Sequence, residues 1–302
     1  MIRAFSTIFA GLLGLAFGSF LNVCVSRWPQ YESIVRPRSH CRNCEHPLAW
    51  WENIPLLSWI ALRGRCYHCR AWIGIRYPLV ELTVGGLWAA TVWRYAPELF
   101  AHHLTLAAIA PDLVEMVGLM TLYWMLVALA ALDAENLWLP NKLTFPGVAL
   151  GLGFALAKAV MVALSPVHGP MNKLELIWFE TRPVLVGRIF SILFVAGILL
   201  MIRWVYGALR HREGMGLGDV KLIAMLAAWL GLGGTLLAFF IGSMIGGFAG
   251  VVVILSPRRG EEGQHWATTK LPFGTFLCIG GIVAGMWGQP IIDAYLNMIG
   301  IR

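Results

Sequence analysis

Hydrophobic positions along this 302-residue chain neither alternate, as in strands, nor form the one-faced stripe of a surface helix; they come in unbroken blocks. Eight such blocks recur, at about 4–26, 78–95, 113–132, 143–163, 184–206, 219–232, 234–255 and 271–289. A helix rises about 1.5 Å per residue, so about twenty apolar residues cross the ~30 Å hydrocarbon layer of a bilayer. The pattern predicts an all-α polytopic membrane protein with about eight transmembrane helices. Its longest polar interruption divides the chain into a first transmembrane helix (1–26), a loop domain (27–77) and a transmembrane domain (78–302). The first block begins like a signal peptide, with Arg3 ahead of Ala16-Phe17-Gly18. Its apolar character runs on to Val25, however, so a retained anchor is expected.

Composition strengthens this picture. Hydrophobic residues make up 58% of the chain and charged residues 13%, about half the charged share of an ordinary globular protein. A water-soluble enzyme and a disordered scaffold are excluded. The net charge of +7 suggests nucleic acid until its distribution is considered. One alternating set of connecting segments carries sixteen of the 23 Lys and Arg residues, the other seven. The positive-inside rule then places the N-terminus outside, the 27–77 loop in the cytoplasm and, after an even number of spans, the C-terminus outside. The basic residues report topology and contact with anionic lipid, not nucleic acid. Many of the fourteen Trp residues fall near span ends or in the loop, as in an interfacial aromatic belt.

Four of the six cysteines form two pairs, Cys41-Arg42-Asn43-Cys44 and Cys66-Tyr67-His68-Cys69. Two such knuckles offer four thiolates to one tetrahedral zinc ion, with no vacant position for water, so the expected role is structural. Disulfides are the alternative, but a cytoplasmic loop lies in a reducing compartment. A short, loop-rich segment with little core also needs such a staple. His40, His46 and His68 read as neighbours of the metal, and Cys24 and Cys278 as apolar packing residues.

Ionisable residues in membrane segments are costly and are functional candidates by default. Asp133 closes the third block and Asp219 opens the sixth, within Gly216-Leu217-Gly218-Asp219. Given the orientation above, both lie at the cytoplasmic membrane edge. Two adjacent carboxylates share a proton, and one can then activate water while the other polarises a carbonyl, as in aspartyl proteases. The glycines before Asp219 leave room for a substrate backbone. They form no phosphate loop, because no strand precedes them. Gly242, Gly246 and Gly250 form a helix-packing ladder.

These residues resemble the bacterial type IV prepilin peptidases (prepilin leader peptidase and N-methyltransferase). Gly18-Ser19-Phe20-Leu21-Asn22-Val23, with Arg27 and Pro29, is similar to the family's opening motif. The Cys pairs follow, enclosing Ile54-Pro55 and Ser58-Trp59, and then Arg76-Tyr77-Pro78 and Glu81-Leu82. Asp133 through Pro146 and Gly216 through Leu222 resemble the two catalytic-aspartate motifs, and Pro272-Phe273-Gly274 with Gly280-Gly281 the closing one. The resemblance implies that Asp133 and Asp219 are catalytic and that Cys41, Cys44, Cys66 and Cys69 bind metal. It implies an inner-membrane enzyme that removes the short basic leader of type IV prepilins or type II secretion pseudopilins at the cytoplasmic face. Methylation of the new N-terminus from S-adenosylmethionine would follow.

Glu135, Asn141, Thr275 and the Arg42-Asn43 pair depart from common family residues, though none replaces a presumed catalytic atom. Bottom-up, no sequence fingerprint marks a site for S-adenosylmethionine. A transporter relaying ions through membrane carboxylates, and a scaffold docking partners on the zinc loop, are the competing readings.

Overall fold

The computed structural model describes residues 1–99, 105–164, 173–210, 216–255 and 271–300. The basic residues Arg212, Arg258, Arg259 and Lys270, and Gly214 ahead of the second aspartate motif, lie outside them. Among the described residues there is no strand, only two isolated bridges, His40 with Pro47 and Arg65 with Trp72. The helices are α1 (Ile2–Arg27), α2 (Leu57–Ala61), α3 (Arg76–Leu99), α4 (Leu106–Asn136), α5 (Asn141–Leu164), α6 (Lys173–Arg210), α7 (Leu217–Leu255) and α8 (Phe273–Met298). They form two compact units, Met1–Ala131 with Leu164–Pro170, and Leu132–Ala163 with Met171–Arg302.

Among the described residues, six helices are long and apolar enough to cross a membrane: α1, α4, α5, α7, α8 and the Glu180–Arg210 part of α6. The protein is therefore a multi-pass membrane protein. The 78–95 block forms α3, which is long enough but is diluted by Glu81, Gly85, Gly86 and Arg94. The sixth and seventh predicted spans are joined in α7, which breaks at Gly231 (φ 69°, ψ −173°), a conformation almost confined to glycine.

That break reverses the chain. Before it, α7 runs alongside α5: Lys221 Nζ donates to Asn141 Oδ1 at 2.8 Å and Trp229 Nε1 to the Gly147 carbonyl at 2.8 Å. After it, α7 runs antiparallel to α8. A Cβ placed on Gly233 would meet Ile292, on Gly242 the Leu277 backbone, and on Gly250 the Leu271 side chain. The expected glycine ladder thus packs on α8. The half ending at Leu230 is only about 20 Å long, short for a full span.

In the first unit, α1 and α3 pack antiparallel through small residues, the device that lets backbones approach where lipid supplies no hydrophobic drive. A Cβ on Gly14 would lie 2.9 Å from the Gly85 Cα, and one on Gly18 2.7 Å from the Glu81 Cα. The indole N–H groups of Trp88 and Trp124 donate to the Met120 and Phe17 carbonyls, fixing α4 against this pair.

The tightest such approach is at Gly280, where an added Cβ would overlap the Ala238 carbonyl oxygen. Gly280→Ala should therefore destabilise the protein by about 1–3 kcal/mol. Gly86→Ala, where nothing lies near the new methyl, should leave the melting temperature in detergent unchanged. Equal melting temperatures for both variants would contradict this packing.

Candidate functional site

Asp133 belongs to the last turn of α4. The helix stops just beyond it: the Leu137 N–H closes onto the Asp133 carbonyl at 2.9 Å, Leu137 turns left-handed (φ 51°) and Pro140 precedes α5. The Asp133 side chain is only 5% exposed. It faces the first turn of α8, whose free N–H groups and dipole favour negative charge. Thr275 gives it two hydrogen bonds, from the backbone N–H to Oδ2 at 2.7 Å and from Oγ1 to Oδ2 at 3.2 Å. The Gly274 N–H also donates to the Asp133 carboxyl.

Asp219 sits in the first turn of α7, half-buried, and accepts a hydrogen bond from the Gly216 backbone. Asp133 is the charged group that bears on it, and the fully buried Cys278 thiol feels both carboxyls. Residues 86 positions apart are thus brought to one end of one unit, whereas Glu135 is exposed. Leu139 fills the space between the two motifs. A Cβ on Gly218 would lie 3.1 Å from the Leu139 Cβ, and one on Gly274 2.9 Å from Asp133 Oδ2 and 3.0 Å from Leu139 Cδ1. Glycine at 274 lets α8 present its amides to the carboxylate.

The loop between α1 and α3 builds two matching knuckles. In each, the chain returns after the second cysteine: Cys41 N–H donates to the His46 carbonyl at 3.0 Å, and Cys66 N–H to the Ala71 carbonyl at 2.9 Å. Glu45 and Arg70, at equivalent positions, take positive φ to make the turn (57° and 58°). The four sulfurs of Cys41, Cys44, Cys66 and Cys69 all lie within 4.8 Å of one another, and none of these cysteines is in a disulfide. The Ala71 N–H, aided by the Asn43 side chain, draws the Cys69 thiol down while its sulfur neighbours push Cys44 up, so the four thiols share their protons and Cys69 is the first to reach the thiolate a metal requires. The donor set fits zinc. The His46 and His68 rings lie against each other, with centroids 3.5 Å apart and planes tilted by 40°.

Beside this cluster lies a cavity of about 520 Å³ lined by residues of α1, the loop and α3, among them Asn22, Glu52, Trp59, Tyr77 and Glu81. Glu81 and Glu52 are buried, and Glu81 Oε2 accepts the Leu56 N–H at 2.8 Å. Asn22 Oδ1 and Glu52 Oε1 are buried without a hydrogen-bond partner, so two acceptors on this lining are unsatisfied. Asn22 and Glu81 lie within sequence motifs, but nothing in those motifs points to a role for either. A carboxylate at the mouth of a span is the signal that singled out the aspartates, and it applies equally to Glu81.

Purified protein should carry about one zinc per chain by elemental analysis. Replacing the buried Cys66 by Ser should weaken metal retention more than about a hundredfold, since loss of an outer partner alone costs about 10–100-fold. Full retention in that variant would rule out the four-sulfur site.

Residues 12–95 match the Bacterial Peptidase A24 N-terminal domain, and residues 120–251 match the Type IV leader peptidase family. A prepilin leader peptidase/N-methyltransferase of Aeromonas hydrophila is 34% identical over 97% of this chain and 94% of its own. Its namesake in Pseudomonas aeruginosa is 33% identical over 96% and 93%, and that of Burkholderia pseudomallei 36% identical over 93% and 85%. No solved structure matches the chain. With both family models matched in order and identity above 30% along nearly its whole length, the chain belongs to the type IV leader peptidase family.

Proposed function

We propose that this protein is a membrane aspartyl endopeptidase that removes the basic leader of type IV prepilins or type II secretion pseudopilins, and then methylates the new N-terminus. The observation that carries the reading is the meeting of Asp133 and Asp219 at one end of one unit, on α4 and α7. Family membership favours it over an ion relay.

The chemistry needs one water. One aspartate, ionised, takes a proton as the water oxygen attacks the scissile carbonyl carbon; the other, protonated, donates to the carbonyl oxygen. Collapse of the tetrahedral intermediate breaks the C–N bond, and the amine leaves with a proton from the pair. The two residues titrate as a unit. Exposed Gly216, with no other element against it, leaves the approach to Asp219 open for an extended substrate backbone, while Gly218 packs on Leu139. The proposed site lies at the cytoplasmic edge of the bacterial inner membrane, with the N-terminus outside, so that the positive leader stays inside beside anionic lipid headgroups.

Cys41, Cys44, Cys66 and Cys69 would hold a structural zinc ion, tying the two knuckles of the loop to each other. S-adenosylmethionine would supply an electrophilic methyl group to the freed amine. The loop cavity suits a ligand of that size, and its chemistry fits. Glu81, Glu52 and Asn22 offer acceptors to ribose hydroxyls and an ammonium group, and Trp59 and Tyr77 offer faces for an adenine ring.

Mass spectrometry of a prepilin incubated with purified protein in liposomes, with and without S-adenosylmethionine, tests both activities. Leader loss should occur in wild type and fall at least about a thousandfold in Asp133→Asn and in Asp219→Asn, because loss of acid–base groups costs about 10²–10⁴-fold each and these act as a unit. Cleavage persisting in either variant would refute the pair. Glu81→Gln should lower methyl gain relative to leader loss by about tenfold or more, the value of a charged hydrogen bond. An unchanged ratio would remove the loop cavity as the donor site.

A further inference from the structure

Proline, phenylalanine and glycine at 272–274 are followed by Thr275, the position at which α8 touches Asp133. Both polar donors of this one residue converge on one oxygen: its N–H lies 2.7 Å and its hydroxyl 3.2 Å from Asp133 Oδ2. A carboxylate carries two oxygens that are equivalent until neighbours distinguish them. Here the contact with α8 occupies Oδ2, and the lack of a side chain on Gly274 permits it.

We propose that Thr275 is a positioning residue for the leader-cleavage reaction: it fixes the rotation of the Asp133 carboxyl by holding Oδ2, so that Oδ1 is the atom that meets the nucleophilic water. This rests on the aspartyl peptidase reading above. Thr275 acts through Asp133, whose Oδ2 it holds. The N–H groups of Thr275 and Gly274 give the carboxyl its backbone anchor, and the Thr275 hydroxyl supplies the second, from a side chain. Because near-attack geometry is sensitive to small rotations of a reacting group, loss of the second anchor should slow the chemical step without altering substrate binding.

The test is steady-state cleavage of a prepilin by full-length protein in liposomes, comparing wild type with Thr275→Val, Thr275→Ser and Asp133→Asn. Valine keeps the shape and the backbone donor but removes the hydroxyl; serine restores it. Thr275→Val should lower kcat about tenfold with KM unchanged within about twofold, as expected when one hydrogen bond to a charged group is lost from the transition state alone. Thr275→Ser should recover most of kcat. An unchanged kcat in Thr275→Val, a change confined to KM, or equal losses in the valine and serine variants would each overturn the proposal. If the valine variant does not fold by its melting temperature, serine decides alone: a loss above about threefold would overturn it, and a smaller loss would support it. Cleavage surviving in Asp133→Asn would instead overturn the peptidase reading beneath it, a result distinguishable from failure of the Thr275 role.

Discussion

The second unit is arranged around the hydrogen bonds that Asp133 accepts from the first turn of α8. A carboxyl group 5% exposed at the edge of a membrane segment is costly unless donors replace its water. A helix N-terminus is the cheapest such source, because its amides have no partners within the helix. For α8 to begin there, the chain must return to the end where α7 began. The reversal of α7 at Gly231 makes that possible. Gly274 admits the carboxyl, Leu139 wedges between Gly218 and Gly274, and Asp219 reaches the same end from the start of α7.

The first unit solves a different problem. Its loop is too short and polar to bury a core, so it is held by hydrogen bonds to its flanking helices. Arg27 at the end of α1 is buried and donates to the Ser33 and Pro37 carbonyls at 2.8 Å each. Arg42 in the first knuckle donates to the Ser26 carbonyl at 2.7 Å, and Glu81 on α3 reaches back to the Leu56 amide. The antiparallel α1 and α3, in contact through Gly14, Gly18 and Gly85, give these ties a rigid base. The cavity between loop and helices is a product of that bracing.

Reading the chain forward, the membrane class follows from composition and most span positions from the apolar blocks, because lipid allows no polar surface over a span and enforces internal backbone pairing. The cysteine knuckles are equally visible, since their geometry is local: each closes within six residues. The common location of Asp133 and Asp219 at one end follows from the span count. Three features were not visible. Gly231 is one of three glycines between residues 231 and 234, and only its dihedral angles identify it as the break. Thr275 lies 142 positions from the carboxylate it holds and reads as a departure from a motif. The buried acceptors of Asn22 and Glu52 become meaningful only once a cavity joins them.

The sequence by itself determined the solvent of each segment, the two thiol knuckles and which carboxylates stand at membrane edges, because each is a consequence of transfer free energy or of spacing along a few residues. The tertiary structure decided where α7 turns, which oxygen of Asp133 is occupied and what lines the loop cavity. Those depend on the approach of backbones and donors far apart in the chain, and hydropathy carries no information about partners.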